Sequence, residues 1–196
     1  VIWFRDFSFL RKKLGPIADK VLKEGMQVKL KVEVDFHERF GMKLIIKDID
    51  PSYTYGQLAI QREKVIEQLR QEGRMDLNNG IIFPTLTQRI AVISSDTAAG
   101  YQDFIQQLQQ NQYGYAFKPQ LFPAAMQGLR TEMEVVSQLK EIADVGRHDV
   151  VVITRGGGSK LDLSSFDSYA IAKQISEMPI PVITGIGHDI DLSIAD

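Results

Sequence analysis

The chain has 196 residues, of which 44% are hydrophobic and 24% charged, and its formal net charge is −2. That balance suits one large or two small soluble domains and argues against a protein that coats duplex nucleic acid through bulk positive charge, while leaving room for a local basic surface. There is no cysteine, so disulfides, thiolate nucleophiles and thiolate metal sites are excluded. No apolar run approaches the roughly 18 residues of a membrane span, and no basic segment followed by an apolar stretch opens the chain. No membrane partner is expected, and the cytoplasm is the expected compartment. Residues 1–50 carry 11 Lys or Arg against 8 Asp or Glu, while the remainder carries 12 against 17. An extended nucleic-acid footprint would therefore favour the N-terminal part.

In chain order, Val1-Ile2-Trp3-Phe4 reads as a strand, with the chain opening inside it as a fragment would. Residues 9–23, rich in Lys and Arg, read as a helix closed by Glu24-Gly25. Val28, Leu30, Val32 and Val34 alternate with Lys29, Lys31, Glu33 and Asp35, and residues 42–47 return as a second strand after a turn at 36–41. The expected element is a hairpin of a small β module. Residues 54–75 read as a bridging helix with Leu58, Val65, Ile66 and Leu69 among polar residues. The domain boundary is expected between Pro51 and Pro84.

From Gln88 onward strand and helix alternate four times, the pattern of an α/β fold with a parallel doubly wound sheet. Strands are expected at 89–94, 115–121, 149–154 and 181–184, with helices at 98–110, 128–143 and 163–178. A further helix is expected to start near Asp189. In the 128–143 helix Leu129, Met133, Val136, Leu139 and Ile142 recur at helical spacing. The common strand order for this pattern, 2-1-3-4, makes the first, third and fourth strands neighbours and puts a ligand beyond their carboxyl ends. The end of the second strand, with Pro119, Phe122 and Pro123, carries no ionisable cluster.

The three converging loops hold the polar, glycine-rich and titratable residues. After the third strand comes Arg155-Gly156-Gly157-Gly158-Ser159. Glycines there let successive backbone N–H groups turn inward, and Arg155 offers a planar fork to a phosphate oxygen. A plain strand-to-helix turn, with Arg155 in a surface ion pair, is the alternative. After the fourth strand, Gly187-His188-Asp189-Ile190-Asp191 places His188 and Asp191 on one face of an incipient helix. That pair suits acid/base work on a phosphodiester, although a helix N-terminal carboxylate beside a hydrogen-bonded His is the plainer use. In the first loop Ser94, Ser95 and Thr97 can bond phosphate oxygens or cap the next helix. Asp103 would face Arg155 and His188 if that helix turns its first residues to the crevice. Tyr101 and Phe104 suit base stacking or core packing. No P-loop, complete dinucleotide fingerprint or nucleophile elbow is present.

The run Arg155-Gly156-Gly157-Gly158-Ser159, followed by Leu161-Asp162-Leu163, Phe166, Pro181-Val182-Ile183 and Gly187-His188-Asp189-Ile190-Asp191, resembles the large subunit family of bacterial exodeoxyribonuclease VII. Gly25-Met26-Gln27-Val28 is similar to the middle of that family's N-terminal OB domain. The resemblance implies the C-terminal part of an OB fold at 1–51, a helical linker at 52–84 and a C-terminally truncated nuclease domain at 85–196. It implies hydrolysis of single-stranded DNA from either end to oligonucleotides and nucleoside 5′-phosphates, in complex with a small helical subunit bound mainly through regions outside this chain. It implies catalytic roles for Asp103, Arg155, His188 and Asp191. Ser94, Ser95, Thr97, Gly156, Gly157, Gly158, Ser159 and Gly187 are then the phosphate-binding candidates. No cofactor is fixed; Mg²⁺ is the candidate cation, with Asp103, Asp189 and Asp191 as its carboxylates. Asp96 replaces the usual Pro, Lys160-Leu161 an Ile/Val-Glu pair, and Asp189 a Glu. The rival readings are a non-catalytic phosphate- or nucleotide-binding module and an assembly scaffold.

Overall fold

The computed structural model describes residues 4–15, 18–22, 27–39, 41–156, 160–187 and 192–196. The chain divides into two compact units, Val1–Gln61 and Arg62–Asp196.

The first unit contains helices α1 (Phe4–Leu14) and α2 (Ala18–Val21), strands β1 (Lys29–His37) and β2 (Gly41–Asp50), and the opening of α3 (Pro51–Gln71). Phe4 is helical rather than extended; the rest of the expected first strand lies outside the described residues. The expected helix at 9–23 is interrupted after Leu14, where Gly15 takes a left-handed φ of 56° ahead of Pro16. Leu10, Leu14, Ala18, Val21 and Ile49 form the buried core of this unit. Lys13 donates to both carboxylate oxygens of Asp48, at 2.6 and 2.7 Å. β1 and β2 form the expected antiparallel hairpin, with a register irregularity between Lys31 and Val32. Val34 pairs with Leu44 and Phe36 with Met42, and all four side chains are exposed.

The second unit takes up the remainder of α3 and then alternates strand and helix: β3 (Arg89–Ser94), α4 (Ala99–Gln109), β4 (Lys118–Pro123), α5 (Thr131–Val145), β5 (Val150–Arg155), α6 (Lys160–Leu163), a 3₁₀ turn at Ser164–Phe166, α7 (Tyr169–Ser176) and β6 (Val182–Ile186). All neighbouring strands are parallel, and the order is β4-β3-β5-β6, as the alternation predicts. β3 and β5 are covered on both faces, which is why they read as unbroken Val/Ile runs. Ala91, Ile93, Val151 and Ile153 face a core shared with Val135, Leu139 and Ile142 of α5 and with Ile171 and Ile175 of α7. Ile90, Val92, Val150 and Val152 face the other side, beneath Tyr101, Phe104 and Leu108 of α4. Tyr101 and Phe104 are therefore packing residues.

Several boundaries differ from expectation. β4 begins and ends later than predicted, and the single helix expected at 163–178 is split into α6, the 3₁₀ turn and α7. α5 starts at Thr131, and its buried face is Thr131, Val135, Leu139 and Ile142; Leu129 and Met133 are exposed. Successive steps of three residues drift by about 60° on a helix of 3.6 residues per turn. Three such steps carry Met133 to the side opposite Ile142. Gly146 ends α5 in the left-handed conformation, its N–H donating to the Ile142 carbonyl.

At the amino ends of the strands, Asp149 accepts the backbone N–H groups of Gln88 and Arg89 at 3.0 and 2.7 Å and is forked by the Arg89 guanidinium. At the β6 side, Asn78 donates to the Ile180 carbonyl at 3.1 Å and accepts the Val182 N–H at 2.8 Å. The segment 192–196 is held by Asp167, which accepts the Ile194 N–H at 2.9 Å and faces Arg62 at 3.4 Å, and by Asp196, which accepts from Ser193 and Thr184.

Candidate functional site

The carboxyl ends of β3 and β5 open into a cleft of about 560 Å³, within the range of about 300–1,000 Å³ usual for small-ligand sites. One wall is the β3–α4 loop, with Ser95, Thr97, Ala98 and Ala99. The floor is Arg155 and Gly156 at the end of β5. The far wall is the β4–α5 loop, with Ala125, Met126, Gln127 and Arg130.

The first wall is built from a helix start. Ala98 stands at the N-cap in an extended conformation and supplies no side-chain cap, while its carbonyl accepts the Tyr101 and Gln102 N–H groups, both at 3.1 Å. Ala98 donates to the Ser95 carbonyl at 3.1 Å, which tightens the turn into the helix. The Ser95 and Thr97 hydroxyls lie 3.1 Å apart. α4 approaches the floor so closely that a Cβ on Gly100 would stand 2.7 Å from both the Arg155 carbonyl carbon and the Gly156 nitrogen. Only glycine fits there without displacing backbone.

Arg155 is the last residue of β5 and only 8% exposed. Its Nη1 is buried without a hydrogen-bond partner among the described residues. Burial pushes the guanidinium pKa down, and the Asp162 carboxylate works in the opposite direction. A buried cation with an unsatisfied donor is costly to keep.

Arg130 and Gln127 were not expected here. Ending the second strand at residue 121 and starting the next helix at 128 absorbs Arg130 into the helix; β4 in fact runs to Pro123, and the loop after it borders the cleft. The signal was present in the strand order, because the strand next to β3 must deliver its following loop to the same edge. Arg130 is largely exposed and lies 3.4 Å from Glu134, whose other oxygen accepts the Ala125 N–H at 2.7 Å.

Of the remaining sequence candidates, Ser94 is fully buried and its hydroxyl donates to the Thr154 carbonyl at 2.5 Å, linking β3 to β5. Asp103 is exposed on α4 and is not among the cleft-lining residues. Gly187 follows β6 with a left-handed φ of 83°. Gly157, Gly158, Ser159, His188, Asp189 and Asp191 lie outside the described residues. Of the histidines given no role, His37 accepts the Arg39 N–H at 3.2 Å in the hairpin turn. His148 is buried edge-on against Phe122, with Nε2 3.2 Å from Gln120, and burial holds its pKa below the ordinary value. No cluster of three or more His, Asp or Glu side chains suited to a metal ion occurs among the described residues. Among the same residues no helix is long and apolar enough to cross a membrane.

Comparison with known proteins bears on this arrangement. Residues 75–196 match the family model described as exonuclease VII, large subunit. The exodeoxyribonuclease 7 large subunit of Deinococcus radiodurans is 29% identical over the whole chain, which covers 48% of that relative. Those of Lacticaseibacillus casei and Pseudomonas syringae are 33% and 32% identical over 89% and 90% of the chain, which covers 38% of each. The chain thus spans less than half the length of these relatives. The matched region contains the entire parallel sheet and both walls and the floor of the cleft, and the chain belongs to the exonuclease VII large subunit family.

Proposed function

We propose that this chain is the part of an exodeoxyribonuclease that carries its hydrolytic site, and that it cleaves single-stranded DNA from either end to oligonucleotides and nucleoside 5′-phosphates. The observation that carries the reading is Arg155, buried at the floor of the cleft with one donor unpaired among the described residues. The uncapped start of α4 lies alongside it. Together they supply positive potential where a phosphodiester oxygen gains charge as water attacks phosphorus.

A 5′-phosphate product requires that the P–O3′ bond break. Water donates its oxygen to phosphorus and gives up a proton to a base, and the departing O3′ receives one. His188 is assigned the proton transfers, Asp191 the orientation of His188, and Asp103 the placing of the water. Gly156, Gly157, Gly158 and Ser159 are assigned to the phosphate oxygens, with Ser95, Thr97 and Gly187 at the margin. Ser94 is better used in joining the strands. Mg²⁺ would supply charge neutralisation if held by Asp103, Asp189 and Asp191. Of these only Asp103 is among the described residues, and its exposed position away from the cleft gives that set no support.

Residues 1–51 are assigned to an OB-type nucleic-acid-binding region, 52–84 to a linker and 85–196 to the nuclease domain. A small helical subunit is the proposed partner, in the cytoplasm.

The test is release of short products from end-labelled single strands. Arg155→Ala and His188→Ala should each lower kcat by about 100-fold or more, with unchanged circular dichroism. Saturable oligonucleotide binding by the unmutated full-length protein, with no product formed, would replace the nuclease reading by a binding module; absence of both would leave a scaffold.

A further inference from the structure

The cleft has a second cation that neither the sequence motifs nor the proposed chemistry uses. Arg130 stands on the wall formed by the β4–α5 loop, in the same cleft as Arg155, and differs from it in every physical respect. Arg155 is buried and, among the described residues, lacks a partner for Nη1; the Arg130 side chain is 77% exposed and its Nη1 is 3.4 Å from Glu134, one helical turn ahead. An exposed pair at that separation holds its arginine only weakly. A guanidinium so placed can leave Glu134 for a phosphate and bind it through two parallel N–H donors.

Its loop is nevertheless fixed. The Ala125 N–H donates to Glu134 at 2.7 Å, and the Ala124 N–H donates to the Ser94 carbonyl at 3.0 Å. Met126 is buried in the core below. The arginine is thus a mobile head on an anchored base. The cleft is also larger than one phosphate needs, since about 560 Å³ is a nucleotide-sized space.

We infer that Arg130 is a second phosphate contact, gripping a linkage next to the one at Arg155, so that the cleft prefers a polynucleotide over an isolated phosphodiester. This rests on the nuclease reading of the same site. Arg130 would act on binding: it meets the strand at the rim, whereas charge develops over the floor. Gln127, on the same wall, would offer its amide to the intervening sugar or base.

The experiment compares Arg130→Gln, Arg130→Lys and Glu134→Gln with the unmutated full-length enzyme on labelled single strands at several salt concentrations. Arg130→Gln should lower kcat/KM about tenfold through KM, and the slope of log KM against log salt should become shallower by about 0.7, the value of one single-strand phosphate contact. Arg130→Lys should keep the slope and recover part of KM. Glu134→Gln keeps an acceptor for Ala125 and frees the arginine, so KM should hold or fall. An unchanged KM and slope in Arg130→Gln, with Arg155→Ala inactive, overturns this inference alone. A rise in KM in Glu134→Gln equal to that in Arg130→Gln also overturns it, because the arginine would then serve only to brace its loop. Retained turnover in Arg155→Ala would instead strike the reading beneath it.

Discussion

Gly100 and Arg155 meet backbone to backbone: a methyl group on the glycine would lie 2.7 Å from the carbonyl carbon of the arginine. The start of α4 and the end of β5 are therefore held at a separation that no other residue permits.

Gly100→Ala should push α4 away from β5 and loosen the cleft. Overpacking against backbone at such a contact costs about 1–3 kcal/mol. Urea denaturation should show that loss, and turnover should fall further than stability explains, because the helix start moves relative to Arg155. A fully active, equally stable variant would show that the approach is not needed.

Arg155→Met should leave the unliganded protein as stable as before, or more so. Removing a buried guanidinium that lacks a partner for one of its donors among the described residues eliminates a desolvation penalty while keeping apolar bulk. Oligonucleotides should raise the Tm of the unmutated protein, and the same variant should lose that rise. Calorimetry with and without an oligonucleotide checks both halves.

Asp149 should contribute to the acid limb of stability. The Arg89 guanidinium, followed by the Arg89 backbone N–H, drives its carboxyl well below the ordinary 3.8. A depressed folded-state pKa gives stabilisation that is fully present above the unfolded value and lost as pH falls through the folded one. The urea midpoint should therefore drop as pH is lowered below about 4, and Asp149→Asn should flatten that dependence while lowering stability at pH 7. Asp167 has the opposite sign. Burial raises its pKa against the Ile194 hydrogen bond and Arg62, so its own contribution improves on acidification, and Asp167→Asn should not reproduce the flattening.

Asn78→Ala should remove the partners of the Ile180 carbonyl and the Val182 N–H together. Leaving such groups unsatisfied costs roughly 1–3 kcal/mol. Amide exchange at Val182 should accelerate well before global unfolding does.

The sheet was legible because β3 and β5 are buried on both faces and must be written in Val and Ile; the order of strands then follows from alternation and handed crossovers. Helix faces were less so. Leu129 and Met133 join the helically spaced series of the 128–143 segment because steps of three look periodic over a short window, whereas the helix begins only at Thr131 and both side chains are exposed. Ser94 shows the limit of reading hydroxyls by type: at a strand end it suits a ligand or a neighbouring carbonyl equally, and here Thr154 takes it. Arg130 was hidden by a strand boundary set two residues early. Asn78 sits in a stretch whose turn residues announce a loop without saying which strand the loop will hold. Arg155 was found from its place after a β-branched run, but its buried, unsatisfied nitrogen belongs to three dimensions alone.

β3 is made first yet occupies the interior of the sheet, between β4 and β5. Its Asp149 clamp lies 60 residues farther along. During synthesis Ile90, Ala91, Val92 and Ile93 must therefore emerge and wait, bare on both sides, until two later crossovers arrive to cover them. Over this interval apolar faces and an unpaired strand edge of the newborn chain stand open to wrong partners.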